Sequence, residues 1–312
     1  MAPSFGRFVY RWFNTNEKAR GSAFLLGGVF FGPVVGPGLT VALMLAFGWR
    51  SVFIIFGVIG LILGLAWYLY ATESPRQNKF VNKAEADFIE DGMQLSQKAN
   101  EVAPWRTFLT SVQFWAVGIQ FFVTDYIMYV FLAWLPLYLM EAQNFSLTKM
   151  GFAASLPWLA LCITTFATGY ASDKLIASGF SKYKVRTWSG ILGLAICCIT
   201  LYLGAVAKTP WMNVFWLTMS LGSLGLTFNA SWAAGIDLGG KFSGSVSGWI
   251  NFWGNLGGVA APTLTAWIAT TFGWQAAIVT TAAFAIVGIV AWLGVRPEKP
   301  LVLDVPVSTK TA

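Results

Sequence analysis

Apolar positions in this chain fall in long, nearly unbroken stretches, not in alternation and not as a stripe along one side of a helix. The first stretch begins at Gly21, after a basic, turn-like opening, "GRFVYRWFNTNEKARG". Eight stretches are long enough for a helix that crosses a membrane. They lie at 22–45, 51–71, 111–140, 150–172, 187–207, 211–234, 246–269 and 274–295. A helix on a soluble protein keeps a polar face, and these stretches have none. The pattern therefore predicts an all-α membrane protein with eight transmembrane helices. A polar segment, 73–110, separates the first two stretches from the other six. Within it, "NKAEADFIEDG" reads as a short amphipathic helix on the surface.

Composition agrees, with 56% hydrophobic and 11% charged residues, against about 25% charged in a typical soluble domain. The net charge of +7 follows from topology and does not call for nucleic acid. Of the 20 Lys and Arg, 17 fall on one side of the predicted spans. Only Arg50, Lys149 and Lys208 fall on the other. The basic side is expected to be cytoplasmic, and the C-terminus with it. Cys162, Cys197 and Cys198 all lie inside spans, and the chain has no histidine. No disulfide, metal or cofactor pattern is present, and no catalytic residue is assigned.

An internal repeat underlies the pattern. The stretch from Phe31, "FGPVVGPGLTVALMLAFGWRSVFIIFGVIGLILGLAWYL", aligns without a gap to "LGGVAAPTLTAWIATTFGWQAAIVTTAAFAIVGIVAWLG" from Leu256. The offset is 225 residues, the distance from Gly32 to Gly257. It pairs Pro37 with Pro262, Leu39-Thr40 with Leu264-Thr265, and Phe47-Gly48-Trp49 with Phe272-Gly273-Trp274. Ala66-Trp67 pairs with Ala291-Trp292. The repeat unit is then six helices running in parallel sense, complete in the second copy and represented by its last two helices in the first. Four helices, roughly 120 residues, are expected upstream, so the chain reads as N-terminally truncated. The predicted organisation is 1–20, the end of a fourth helix and a loop; 21–72, the last two helices of an N-terminal bundle; 73–110, a central cytoplasmic loop; 111–296, a complete six-helix C-terminal bundle; and 297–312, a cytoplasmic tail.

Two six-helix halves joined by a central loop resemble the major facilitator superfamily. "APSFGRFVYRWFNTNEKARGSA" is similar to the loop after the fourth helix in its anion:cation symporter family. Met1 stands where that family has an acid, Phe5-Gly6 where it has Phe-Pro, Trp12-Phe13-Asn14 for Trp-Phe-Pro, and Glu17-Lys18-Ala19 for Glu-Arg-Ala. "FLAWLPLYLMEAQNFSLTKMGFAASLPWL" resembles the family's seventh-to-eighth helix passage, and "NASWAAGIDLGGKFSGSVSGWINFWGNLGGVAAP" its tenth-to-eleventh. The eight helices would then be helices five to twelve of twelve. The resemblance implies a multi-pass protein of the inner (plasma) membrane that takes up an organic anion with protons by alternating access. A sugar acid such as galactonate, glucarate or a hexuronate is the expected substrate, and the oligomeric state stays open. Val29 stands where sugar-acid members often carry glutamine.

Several residues could carry transport. Asp125 is the one ionisable group deep inside a predicted span, where a carboxylate is costly and marks function or a wet, hydrogen-bonded interior. Tyr129 follows one turn later on the same face. Asn229, Ser231 and Trp232 lie in one predicted helix, and Asn251 and Asn255 in the next. Amides and hydroxyls suit a polyhydroxylated ligand, or equally helix–helix bonding. The resemblance implies cavity lining for Asn229, Ser231, Trp232 and Asn251. Gly169, Asp173 and Lys174, in "GYASDKL", match the superfamily's gate spacing, with Asp173 directed toward Ser243–Ser247; a plain topology charge is the alternative. Gly28, Gly32, Pro33, Gly36 and Pro37 resemble a motif of proton antiporters. That leaves efflux, or a non-transporting truncated protein, as alternatives.

Overall fold

A computed structural model describes residues 12, 18–72, 74–91 and 103–302. The loop motif at 1–17, apart from Trp12, lies outside the described residues. Among them the chain forms ten α-helices and no strand. They are α1 (Lys18–Phe47), α2 (Trp49–Tyr70), α3 (Lys83–Asp91), α4 (Trp105–Thr110), α5 (Val112–Glu141), α6 (Leu147–Ala177), α7 (Lys182–Ala205), α8 (Pro210–Gly239), α9 (Ser243–Phe272) and α10 (Trp274–Leu293). Six are long and apolar enough to cross a membrane: α1 over Gly27–Phe47, α2, α5, α6, α7 and α10. The other two long helices, α8 and α9, are 30 residues each. They interleave Gly, Ser, Thr and Asn with their apolar residues, which lowers their hydropathy. These two also carry Asn229, Ser231, Asn251 and Asn255. The surface helix expected in the polar segment is α3, which buries Ala86 and Ile89 and pairs Asp87 with Arg76 at 2.8 Å.

The repeat is visible in backbone geometry. α1 ends at Phe47 and α2 starts at Trp49, with Gly48 between them at φ 82°, ψ 163°. α9 ends at Phe272 and α10 starts at Trp274, with Gly273 at φ 88°, ψ 164°. Each glycine N–H closes the preceding helix, Gly48 on Met44 O at 2.9 Å and Gly273 on Ala269 O at 3.0 Å. This corner of φ/ψ space is open to glycine alone, so Phe-Gly-Trp specifies a break between two helices.

The chain divides into two compact units, Met1–Glu101 with Trp134–Phe166, and Val102–Ala133 with Ala167–Ala312, so α5 and α6 contribute to both. In the first, α1 lies on α6: Gly27 sits under the Phe166 ring, and Gly151 sits 3.1 Å from Val41 Cγ2 when given a Cβ. Small residues let such helices approach without the drive that water supplies to soluble bundles.

In the second unit, polar cross-links hold α7 to α8. Asn213 Nδ2 donates to Gly204 O at 2.8 Å, Thr227 Oγ1 to Gly190 O at 3.2 Å, and the Cys197 and Ser220 side chains meet at 3.2 Å. Trp292 of α10 is fully buried on Gly190. α9 crosses α5 through an aromatic clamp. Trp249 stacks on Phe114 at 4.5 Å and donates its indole N–H to Phe114 O at 2.8 Å. Only a glycine at 118 leaves room for it, since a Cβ there would lie 2.5 Å from Trp253 Cδ1 and 2.9 Å from Trp249 Nε1.

Candidate functional site

The strip of α5 that faces α9 repeats every fourth residue: Phe121, Asp125 and Tyr129 on one line, Phe122 and Tyr126 beside it. α9 meets this strip with Gly254, Gly257 and Gly258. A Cβ on Gly254 would strike Asp125 Oδ2 and lie 2.7 Å from the Phe121 ring. One on Gly257 would strike Phe122 O and lie 3.0 Å from Tyr126 N. One on Gly258 would lie 2.8 Å from the Tyr129 ring. The glycines thus bring the α9 backbone onto the carboxylate. Above them the Tyr126 hydroxyl meets Thr265 Oγ1 at 3.4 Å.

Asp125 is half-buried and makes no hydrogen bond or ion pair within the described residues. Tyr129, also half-buried, is near enough to feel its charge. An unpaired carboxylate in an apolar span has to be offset by a proton, a cation or a donor-bearing ligand.

α8 supplies the aromatic side. The Phe121 ring makes edge contacts with Trp232 at 5.5 Å and Phe228 at 5.8 Å. Trp232 is partly exposed beside them. Ser231 is fully buried and donates to Thr227 O at 2.7 Å and Gln120 Oε1 at 3.0 Å. Gln120, also fully buried, donates its Nε2 to Val117 O at 2.9 Å. Ser231 therefore ties α8 to α5 at the residue next to Phe121. Asn229 lies against Gly169, 3.8 Å from where a Cβ would sit. On α9, Asn251 is half-buried one turn before Gly254, while exposed Asn255 returns its Nδ2 to Asn251 O at 2.7 Å. The structure thus gathers Asp125, Tyr129 and Trp232 around Phe121 and the α9 glycines. Asn229 and Gly169 form a separate pair.

A second cluster joins the start of α7 to the end of α8. Asp237 Oδ2 lies 2.6 Å from Arg186 Nη1, and its Oδ1 accepts from Lys182 Nζ at 3.2 Å. The Arg186 contact is close but off hydrogen-bond alignment, so it acts by charge. Exposed Asp173 acts on Arg186 through its charge as well, and Lys174 is exposed beside it. Arg186 and Asp237 escape a reading of the sequence because "SKYKVR" looks like loop charge. The available signal was Asp237 itself, an acid in the last turn of an otherwise uncharged helix.

Long apolar helices and the repeat define a multi-pass membrane protein. The model of the Major Facilitator Superfamily matches residues 1–262, and the chain belongs to that family. A Bacillus subtilis (strain 168) protein named "Probable galactarate/D-glucarate transporter GudP" is 32% identical over 318 residues, covering 97% of this chain and 69% of its own length. The D-galactonate transporter of Escherichia coli O6:H1 is 29% identical, over 93% of this chain and 69% of its own. The protein "Probable anion transporter 4, chloroplastic" of Oryza sativa subsp. japonica is 28% identical over 93% of this chain, which spans only 49% of that relative. The chain thus covers between about half and two thirds of the length of these relatives, all of them named as transporters and not enzymes. A bacterial homolog to human lysosomal transporter, Spinster, solved in an inward-facing and unoccupied conformation, shares the fold. Its TM-score is 0.71 at 15% identity, over 95% of this chain and 74% of that one.

Proposed function

We propose that the protein is part of a secondary active transporter that takes up an organic anion, a sugar acid such as galactonate, glucarate or a hexuronate, together with protons. In this reading eight helices, α1, α2 and α5–α10, cross the inner membrane and correspond to helices five to twelve of a twelve-helix protein. Residues 21–72 belong to the N-terminal bundle, 111–296 form the C-terminal bundle, and the C-terminus is cytoplasmic. The two bundles rock about a midplane site.

The observation that carries the reading is Asp125, unpaired between α5 and α9 among aromatic rings. It is the proposed proton site. Trp232, Tyr129, Asn229, Asn251 and Asn255 are the proposed substrate contacts, with Ser231 and Gln120 holding α8 against α5. Gly169, Asp173, Lys174, Arg186 and Asp237 belong to the proposed cytoplasmic gate. The names of the Bacillus and Escherichia relatives support a sugar acid.

Uptake of labelled galactonate, glucarate and galacturonate into proteoliposomes tests this, with and without an inward proton gradient. Gradient-stimulated uptake that Asp125→Asn abolishes, with the folded yield unchanged, is the expected result. Uptake by Asp125→Asn at the wild-type rate and pH dependence overturns it. Pro33 and Pro37 inside α1, each directly after a glycine of the Gly28, Gly32, Gly36 series, favour efflux as the second reading. Accumulation driven by an outward instead of an inward proton gradient would select it.

A further inference from the structure

Past the end of α10, the chain crosses three other helices before leaving the described residues. Val295 is fully buried, and its carbonyl accepts from Thr187 Oγ1 of α7 at 3.0 Å. The Arg296 N–H donates to Gln113 Oε1 of α5 at 3.0 Å, and Gln113 Nε2 returns to Lys299 O at 3.4 Å. The turn between those two residues is closed by Lys299 N on Arg296 O at 3.0 Å. One side-chain amide thus uses its donor and its acceptor to grip both ends of one turn. Within that turn the Glu298 carboxylate accepts from the Ser181 hydroxyl and from Tyr183 N at 3.4 Å, at the start of α7. Leu301 N then donates to Leu238 O, in the last turn of α8, at 2.9 Å.

The first N–H groups and the last C=O groups of any helix have no partner inside it. Here one short segment satisfies such groups on two helices at once, the start of α7 and the end of α8. A carboxylate at a helix N-terminus is also the favoured charge there. The turns it caps are the ones that carry Lys182, Arg186 and Asp237.

We infer that Val295–Leu301 is a clasp that binds the neighbouring ends of α5, α7 and α8 into one block, with Gln113 as its latch. The ion cluster of Arg186, Lys182 and Asp237 then keeps its geometry because the turns on both sides of it are held from outside. In any change of state these three helix ends shift together. The clasp is the same whichever substrate the protein carries.

Hydrogen exchange on the full chain in lipid nanodiscs tests the clasp. Gln113 hydrogen-bonds Arg296 and Lys299, whereas the amides of Tyr183 and Leu301 bond elsewhere. If the clasp opens as a unit, Gln113→Ala accelerates exchange on the order of tenfold at Arg296, Leu301 and Tyr183 together, the cost of one such bond. Exchange in the middle of α10 stays unchanged. Acceleration confined to Arg296, or none at all, overturns the inference. Should Gln113→Ala fail to fold, Glu298→Gln alters only an exposed side chain and serves in its place. Acceleration at both Tyr183 and Leu301 then supports the clasp, and acceleration at Tyr183 alone overturns it.

Discussion

Gly257 and Gly32 hold the same position in the two copies of the repeat but meet different surroundings. Gly257 lies on the α5 backbone, whereas nothing stands within 4 Å of a Cβ at Gly32. A methyl group at 257 must push two helices apart, and overpacking of that kind costs about 1–3 kcal/mol. At 32 the same change adds helix propensity, worth up to about 1 kcal/mol, with no steric cost. Gly257→Ala should therefore lower the melting temperature in detergent, and Gly32→Ala should leave it level or raise it. Glu298 gives a pH-dependent counterpart. The Ser181 hydroxyl, the Tyr183 N–H and the Lys184 charge hold its carboxyl below the usual glutamate range. A depressed acid stabilises the folded state above its unfolded pKa and loses that contribution as pH falls through the folded value. The protection factor of the Tyr183 amide, taken against its intrinsic exchange rate at each pH, should fall on acidification below the ordinary glutamate range, and Glu298→Gln should lack that protection at every pH. A wild-type protection factor independent of pH would contradict this account.

Between the long helices, two three-residue signals were legible, while one boundary and one cross-helix bond were not. Phe47-Gly48-Trp49 and Phe272-Gly273-Trp274 announce their breaks because a positive φ near 85° with extended ψ admits only glycine. Non-glycine residues there cost about 1–3 kcal/mol, and neither site offers a neighbour within 4 Å to complicate the reading. Gly48→Ala and Gly273→Ala should each destabilise by that amount, read as a drop in the melting temperature in detergent. By contrast, the start of α7 at Lys182 was hidden, since Lys182 and Arg186 read as loop charges until Asp237 supplies their partner. The Gln120–Ser231 bond was equally hidden, because 111 residues separate its ends and neither residue implies the other. Removing one member of a nearly buried ion pair costs about 3–5 kcal/mol, while replacing both with apolar residues of similar size is close to neutral. Asp237→Leu alone should then cost more than Asp237→Leu combined with Arg186→Met, a sign that a thermal double-mutant cycle reads directly.

Across the whole molecule the two copies of the repeat differ in what covers them, and periodicity alone cannot disclose that. The sequence made Trp67 and Trp292 equivalent, each following an alanine at the same distance from a Phe-Gly-Trp break. Trp292 is fully buried against α7, where Gly190 makes room for its ring, while Trp67 is 61% exposed. The difference follows from neighbours: the second copy lies inside a unit that also holds α5, α7 and α8, and the first copy's α2 exposes most of its length, from Phe53 to Tyr70. Truncating a buried tryptophan costs about 3–5 kcal/mol through lost contacts and the cavity left behind. Truncating an exposed one stays within about 0.5 kcal/mol, since lipid or detergent refills the space. In detergent, Trp292→Ala should therefore unfold the protein many degrees earlier, with Trp67→Ala melting close to wild type. The pair also measures the state of the first copy in a membrane. If Trp67→Ala costs as much as Trp292→Ala there, another helix covers α2. If it costs little, the exposed face of α2 meets lipid.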